Sequence, residues 1–120
     1  MNWVVELHED FESEFEDLPE VVQDEILTIS GLLQKFGSQL SRPKVGTLKG
    51  SQYSNMKELR FNAADGVWRV AFAFDTQRCA ILLVAGDKSG VSQNNFYKKL
   101  IKKADTRFKI HLSQLKSGLS

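Results

Sequence analysis

The run from Cys79 to Ala85 (Cys-Ala-Ile-Leu-Leu-Val-Ala) is apolar on both alternations of an extended chain. A strand of that kind belongs in the middle of a sheet covered on each side. The flanking segments are read around it. Trp3-Val4-Val5-Glu6-Leu7 is short and β-branched and predicts a first strand. Asp10 is a candidate N-cap for a helix carrying Phe11, Phe15 and Leu18, and Pro19 suits the first turn of a second helix. In that second helix Val22, Ile26, Ile29, Leu33 and Phe36 form one stripe, and Gly37 stands where a C-terminal cap glycine belongs. Ser38 to Tyr53 reads as a basic loop. Met56 to Phe61 and Val67 to Asp75 read as strands joined through Asn62-Ala63-Ala64-Asp65-Gly66. A final helix is predicted from about residue 94 to 115, with Phe96, Leu100, Ala104, Phe108 and Leu112 inward. The predicted order is β-α-α-β-β-β-α: an α+β fold with helices against a small, mostly antiparallel sheet, in one domain over residues 1–120.

Charge separates the two ends of the chain. Residues 1–25 hold ten carboxylates and no lysine or arginine. The remainder holds all sixteen lysines and arginines against five carboxylates, a surplus of eleven positive charges. A basic surface of this kind suits an anionic partner. Compatible with it is a second reading, in which the acidic segment folds back to neutralise the basic helix.

Several chemistries are disfavoured. Cys79 is the only cysteine, so neither an internal disulfide nor a thiol-rich metal site can form. No phosphate loop, nucleophile elbow or metal-ligand spacing occurs, and neither cofactor nor metal is expected. His8 and His111 are isolated in sequence and read as structural. The N-terminus lacks a basic segment followed by a long apolar one, and no run approaches a bilayer span, so a cytoplasmic protein without membrane contact is expected.

The hairpin carries the candidate chemistry. Pairing Phe61 with Val67 puts Lys57, Leu59, Phe61, Val67, Arg69, Ala71 and Ala73 on one face. The small neighbours of Arg69 would make that face a shallow groove floored by a cation. Arg60 would lie on the other face, among packing residues, with Glu58 as its partner.

Leu48-Lys49-Gly50, Lys57-Glu58-Leu59-Arg60-Phe61 and Gly66-Val67-Trp68-Arg69-Val70, in that order before an apolar strand, resemble the RelE/HigB superfamily of toxins, and in particular its phage-derived HigB-like branch. The likeness extends from the helical hairpin through the lysine-rich tail. It implies a toxin of a toxin–antitoxin module that enters the ribosome and cuts bound mRNA by attack of a ribose 2′-hydroxyl on the adjacent phosphate. A phosphorane gathers negative charge and calls for arginine and lysine, while tyrosine, lysine or histidine can move the protons. The resemblance places Arg69, Arg60, Lys57, Lys88 and Tyr97 as catalytic candidates. Lys49, Lys98, Lys99, Lys102 and Lys103 are the candidates for gripping RNA phosphates. It also implies an antitoxin partner, often with a helix-turn-helix domain, beside the ribosome and mRNA. Glu58 stands where RelE itself carries a second strand lysine. Two alternatives share the fold: a ParE-like toxin that inhibits gyrase, and an inactive binding module in which Glu58, Arg60 and Arg69 form a structural network.

Overall fold

The structure, a computed structural model, describes residues 3–118. The strands are β1 (Val4–Leu7), β2 (Val45–Thr47), β3 (Lys57–Ala63), β4 (Gly66–Phe74) and β5 (Cys79–Asp87). The helices are α1 (Glu9–Glu16), α2 (Glu20–Phe36) and α3 (Gln93–Lys116). The sheet order is β1-β5-β4-β3-β2, antiparallel except for the parallel β1–β5 pair. The apolar run of β5 therefore lies inside the sheet, between β1 and β4.

Each face of the sheet has its own core. Helices α1 and α2 bury Phe11, Ile26, Ile29 and Leu33 against Leu59, Phe72 and Leu82. Helix α3 buries Leu100, Ala104 and Phe108 against Met56, Ala71, Ala73 and Leu83 on the other. Burying a large aliphatic or aromatic side chain contributes about 1.5–3 kcal/mol, so both layers are needed to hold the strands between them.

Four expectations are corrected. Strand β2 lies inside the segment read as loop. Helix α1 begins two residues earlier than expected, and its cap is His8, whose Nδ1 accepts the Asp10 N–H (3.1 Å), rather than Asp10. The hairpin loop is two residues, Ala64 and Asp65, both at positive φ (50° and 60°) as a type I′ turn requires. The β3–β4 register follows from that turn: Arg60 pairs with Arg69, Glu58 with Ala71 and Lys57 with Phe72. A one-residue shift exchanges the faces of one strand. Glu58 and Arg60 therefore share the α3 face with Arg69, while Lys57 lies on the α1–α2 face beside Leu59 and Phe61.

Helix α3 is capped at its start and fastened to the sheet near its end. The Ser92 hydroxyl accepts the Asn95 N–H (3.3 Å) at the start of the helix. Near the end, His111 Nε2 meets Asp75 Oδ2 at 2.8 Å. The same Asp75 accepts the Gln77 and Cys79 N–H groups, which ties the β4–β5 turn to the helix.

Candidate nucleic-acid and catalytic site

The corrected parity brings a charged cluster together at one end of the sheet. Glu58 and Arg60 come from β3, Arg69 from β4, Tyr97 from the first turns of α3, and Lys88 from the residue after β5. Small residues leave room for it. Ala71 pairs with Glu58 on one side, and Gly46 of β2 pairs with it on the other. A Cβ on Gly46 would meet Glu58 Oε2 at 3.4 Å and the Arg60 guanidinium at 3.6 Å.

Glu58 is the hub. It is 3% exposed, and a carboxylate buried to that degree needs donors around it. Arg60 Nε donates to its Oε2 (3.1 Å), and the Tyr97 hydroxyl donates to its Oε1 (2.8 Å). Arg69 Nε lies 3.6 Å from the same Oε1 and donates to the Tyr97 oxygen at 3.2 Å. Arg69 Nη1 is held by the Trp68 carbonyl (2.8 Å). Lys88 reaches over the Tyr97 ring, its ammonium 5.8 Å from the ring centre. Three cations thus surround one carboxylate, leaving two positive charges uncompensated within the cluster.

This setting moves two proton affinities. Burial pushes the Tyr97 phenol above its ordinary range, and its hydrogen bond to Glu58 adds to the effect. The phenol therefore remains a proton donor at neutral pH. Burial holds the Lys88 ammonium below the ordinary lysine range, with the Arg69 charge acting in the same direction. Elsewhere, burial pushes the Cys79 thiol up to about 12, which makes it unsuited to nucleophilic work.

Of the catalytic candidates, Arg69, Arg60, Lys88 and Tyr97 converge, and Lys57 does not. Glu58 is the member that sequence reasoning took as a structural partner, of Arg60 and in one alternative of Arg69 as well, and not as a candidate for the site. The signal that could have found it is the two-residue turn, which puts positions 58, 60 and 69 on one face. Arg69 is largely covered (9% exposed), whereas Arg60, Lys88 and Tyr97 are half-buried and reach the surface. Lys98, Lys99, Lys102 and Lys103 are exposed on α3. Lys49 is exposed in the loop before β3. That loop is clipped to α3 by Asp105, which accepts from the Ser51 hydroxyl and from the Gln52 N–H (2.9 Å). His8 and His111 both have the structural partners described above.

The acidic segment does meet the basic helix, with Asp10 lining a cleft beside Lys99, Lys102 and Lys103 and Glu14 making a direct ion pair. Arg107 of α3 makes a two-pronged bond to Glu14 of α1 (2.8 and 2.6 Å). Its Nη1 also donates to the Leu83 carbonyl (2.7 Å). The other acidic side chains of α1 face solvent, so neutralisation is local. The cluster around Arg69 is a charged surface rather than a cavity, whereas a cleft of about 530 Å³ lies apart from it, beside Thr76, Leu112 and Lys116. A polymer laid across a surface needs no enclosing pocket.

Residues 13–109 match the family described as "Phage derived protein Gp49-like (DUF891)". Two Mycobacterium tuberculosis proteins are similar in sequence. The candidate toxin HigB2 is 43% identical over 84 residues, 69% of this chain and 41% of HigB2. The candidate toxin HigB3 is 41% identical over 88 residues, 71% of this chain and 75% of HigB3. The chain thus spans less than half the length of the first relative and three quarters of the second. Among solved structures, a double arginine-to-alanine mutant of Escherichia coli RelE in the free state superposes with a TM-score of 0.61 at 10% identity, covering 86% of this chain and 97% of that one. The RelE–RelB complex from Pyrococcus horikoshii OT3 contains a chain with a TM-score of 0.53 at 19% identity, covering 76% and 100%. These likenesses show a RelE-like α+β fold.

Proposed function

The chain belongs to the phage-derived Gp49-like family, a branch of the RelE/HigB superfamily, and from that membership we propose that it is the toxin of a toxin–antitoxin module and cleaves ribosome-bound mRNA. The observation that carries the chemical part is the Arg60–Glu58–Arg69–Tyr97 cluster with Lys88 at its rim. In the proposed step the ribose 2′-oxygen forms a bond to phosphorus while the bond from phosphorus to the 5′-oxygen breaks. Arg69 and Arg60 stabilise the charge gathering on the phosphorane oxygens. Lys88, in the neutral form that burial and the Arg69 charge favour, takes the 2′-hydroxyl proton. Tyr97, kept protonated, supplies one to the departing 5′-oxygen. Glu58 is a positioning residue: both its oxygens are occupied, and it fixes the phenol and the two guanidinium groups relative to one another. Lys49 and the exposed lysines of α3 grip rRNA or mRNA phosphates.

An antitoxin partner fits the same reading, since one solved relative of the fold is a RelE–RelB complex. The test is primer extension on mRNA translated in a purified system with added protein. New 5′ ends placed relative to codons, and lost without ribosomes, are the expected result. Their absence, while the same protein arrests growth of its host, refutes cleavage.

A further inference from the structure

Strand β5 outruns the strand that covers its outer edge. β1 pairs with Cys79–Leu82, and the His8 N–H closes the pairing on the Leu82 carbonyl (2.8 Å). The chain then turns into α1, while β5 continues to Asp87 with β4 as its one strand neighbour. At the changeover Leu83 is the extra residue of a bulge, opposite the Ala71–Phe72 step of β4, and Arg107 takes its carbonyl. Further on, the Lys88 N–H donates to the Val67 carbonyl (2.8 Å). Ladder alternation then turns the N–H and C=O of Ala85 outward, away from β4. An edge of this kind is a template for another strand.

The surroundings select what that strand would be. A groove of about 260 Å³ runs along this edge, with Val84, Phe96 and Leu100 in its lining. Val91, 52% exposed, and Lys99 and Lys103 form its rim. Lys99 and Lys103 stand one helical turn apart, about 6 Å along the axis. Alternate residues of an extended chain are separated by about 6.7 Å, so two side chains on one face of a strand would meet the two lysines in turn. A base would need an exposed aromatic plane to stack on, and Phe96, 9% exposed, faces Gly86 and Tyr97 instead.

We propose that the free end of β5, around Ala85, is a strand-addition site for an extended segment of a protein partner whose carboxylates face Lys99 and Lys103. The inference does not depend on mRNA cleavage. The pairing would be short, because Leu83 and Val84 are buried and the uncovered stretch runs only from Ala85 to Asp87, with main-chain bonds supplying affinity and the lysines direction.

The probe is an acetylated peptide of alternating valine and glutamate, added to the full chain labelled for amide NMR. The expected result is exchange at the Ala85 amide slowed by about tenfold or more at saturation. Lys99→Glu with Lys103→Glu should weaken the peptide by about tenfold. Ala85→Pro should abolish protection at Asp87 while leaving the melting temperature close to wild type, because the lost N–H faces away from β4. If that variant does not fold, the lysine pair carries the test. The proposal is overturned if the wild type shows no protection at Ala85. It is equally overturned if a valine–lysine peptide protects as well, or if a uridine octanucleotide gives the same protection in place of the peptide.

Discussion

Arg69 answers two demands with one side chain, closing the ion-pair network around Glu58 and presenting positive charge toward the surface. Replacing Arg69 with alanine should lower ribosome-dependent cleavage by about 10²–10³-fold, the usual cost of removing one group that stabilises transition-state charge. Lys57→Ala should leave cleavage within about twofold of wild type, since its side chain is on the opposite face of the sheet. Measured side by side by primer extension, the two variants test the register as well as the chemistry; a large loss in Lys57→Ala would contradict both. His8 makes a prediction of another kind. Burial holds its pKa below the ordinary 6.5, so the native state prefers neutral imidazole. As pH falls, the unfolded chain binds the proton first, and its stabilisation is complete above about 6.5 and declines below. Denaturant midpoints should therefore drop from about pH 7.5 to 5.5 more steeply in wild type than in His8→Asn, which keeps a capping acceptor without the titration. Parallel slopes would show that His8 carries no such linkage.

At the level of elements, the apolar patterns were informative and the glycines were deceptive. The stripe on α2 and the uninterrupted run in β5 could be read directly, because each reflects burial over many residues. The hairpin could not. Gly66 looks like the turn residue, yet the turn is made by Ala64 and Asp65 at positive φ, and Gly66 already belongs to β4. Its missing side chain serves another purpose: a Cβ there would come within 2.7 Å of both Asp87 Oδ2 and Trp68 Nε1. Counting it into the loop displaced the register by one residue and hid Glu58 among the packing positions. Strand β2 was hidden for a different reason, being three residues long on the sheet edge, with no periodicity to detect. Gly37, by contrast, does the work expected of a terminating glycine and more. It has φ of 55°, and a Cβ would come 1.9 Å from Trp3 Nε1, whose indole also covers Phe74. Gly37→Ala should lower stability by about 2 kcal/mol or more, from left-handed strain plus displacement of the indole, read as a melting shift in circular dichroism. A shift below about 0.5 kcal/mol would mean that Trp3 is free to move.

Across the whole molecule, charge is segregated by layer. The exposed carboxylates crowd α1 and early α2 and the exposed lysines crowd α3, the two groups meeting only where Asp10 and Glu14 come beside α3. A polyanion should therefore be met in one orientation. Single-stranded RNA affinity should fall with salt at a logarithmic slope of about −0.7 for each phosphate contact. Replacing Lys98, Lys99, Lys102 and Lys103 together by glutamine should flatten that slope by about three units if all four make contact, as fluorescence anisotropy across a sodium chloride series would show. An unchanged slope would assign the grip elsewhere. The parallel pairing of β1 with β5 bears on how the chain comes off its own ribosome. Val4 waits for Cys79, and the cluster waits longer still, for Lys88 and Tyr97. A nascent chain that has reached β4 already carries Arg60 and Arg69 but neither Lys88 nor Tyr97. The cluster is thus completed only once α3 has begun to emerge, so on the proposed function a copy interrupted before that point would carry the charge without the groups that move protons.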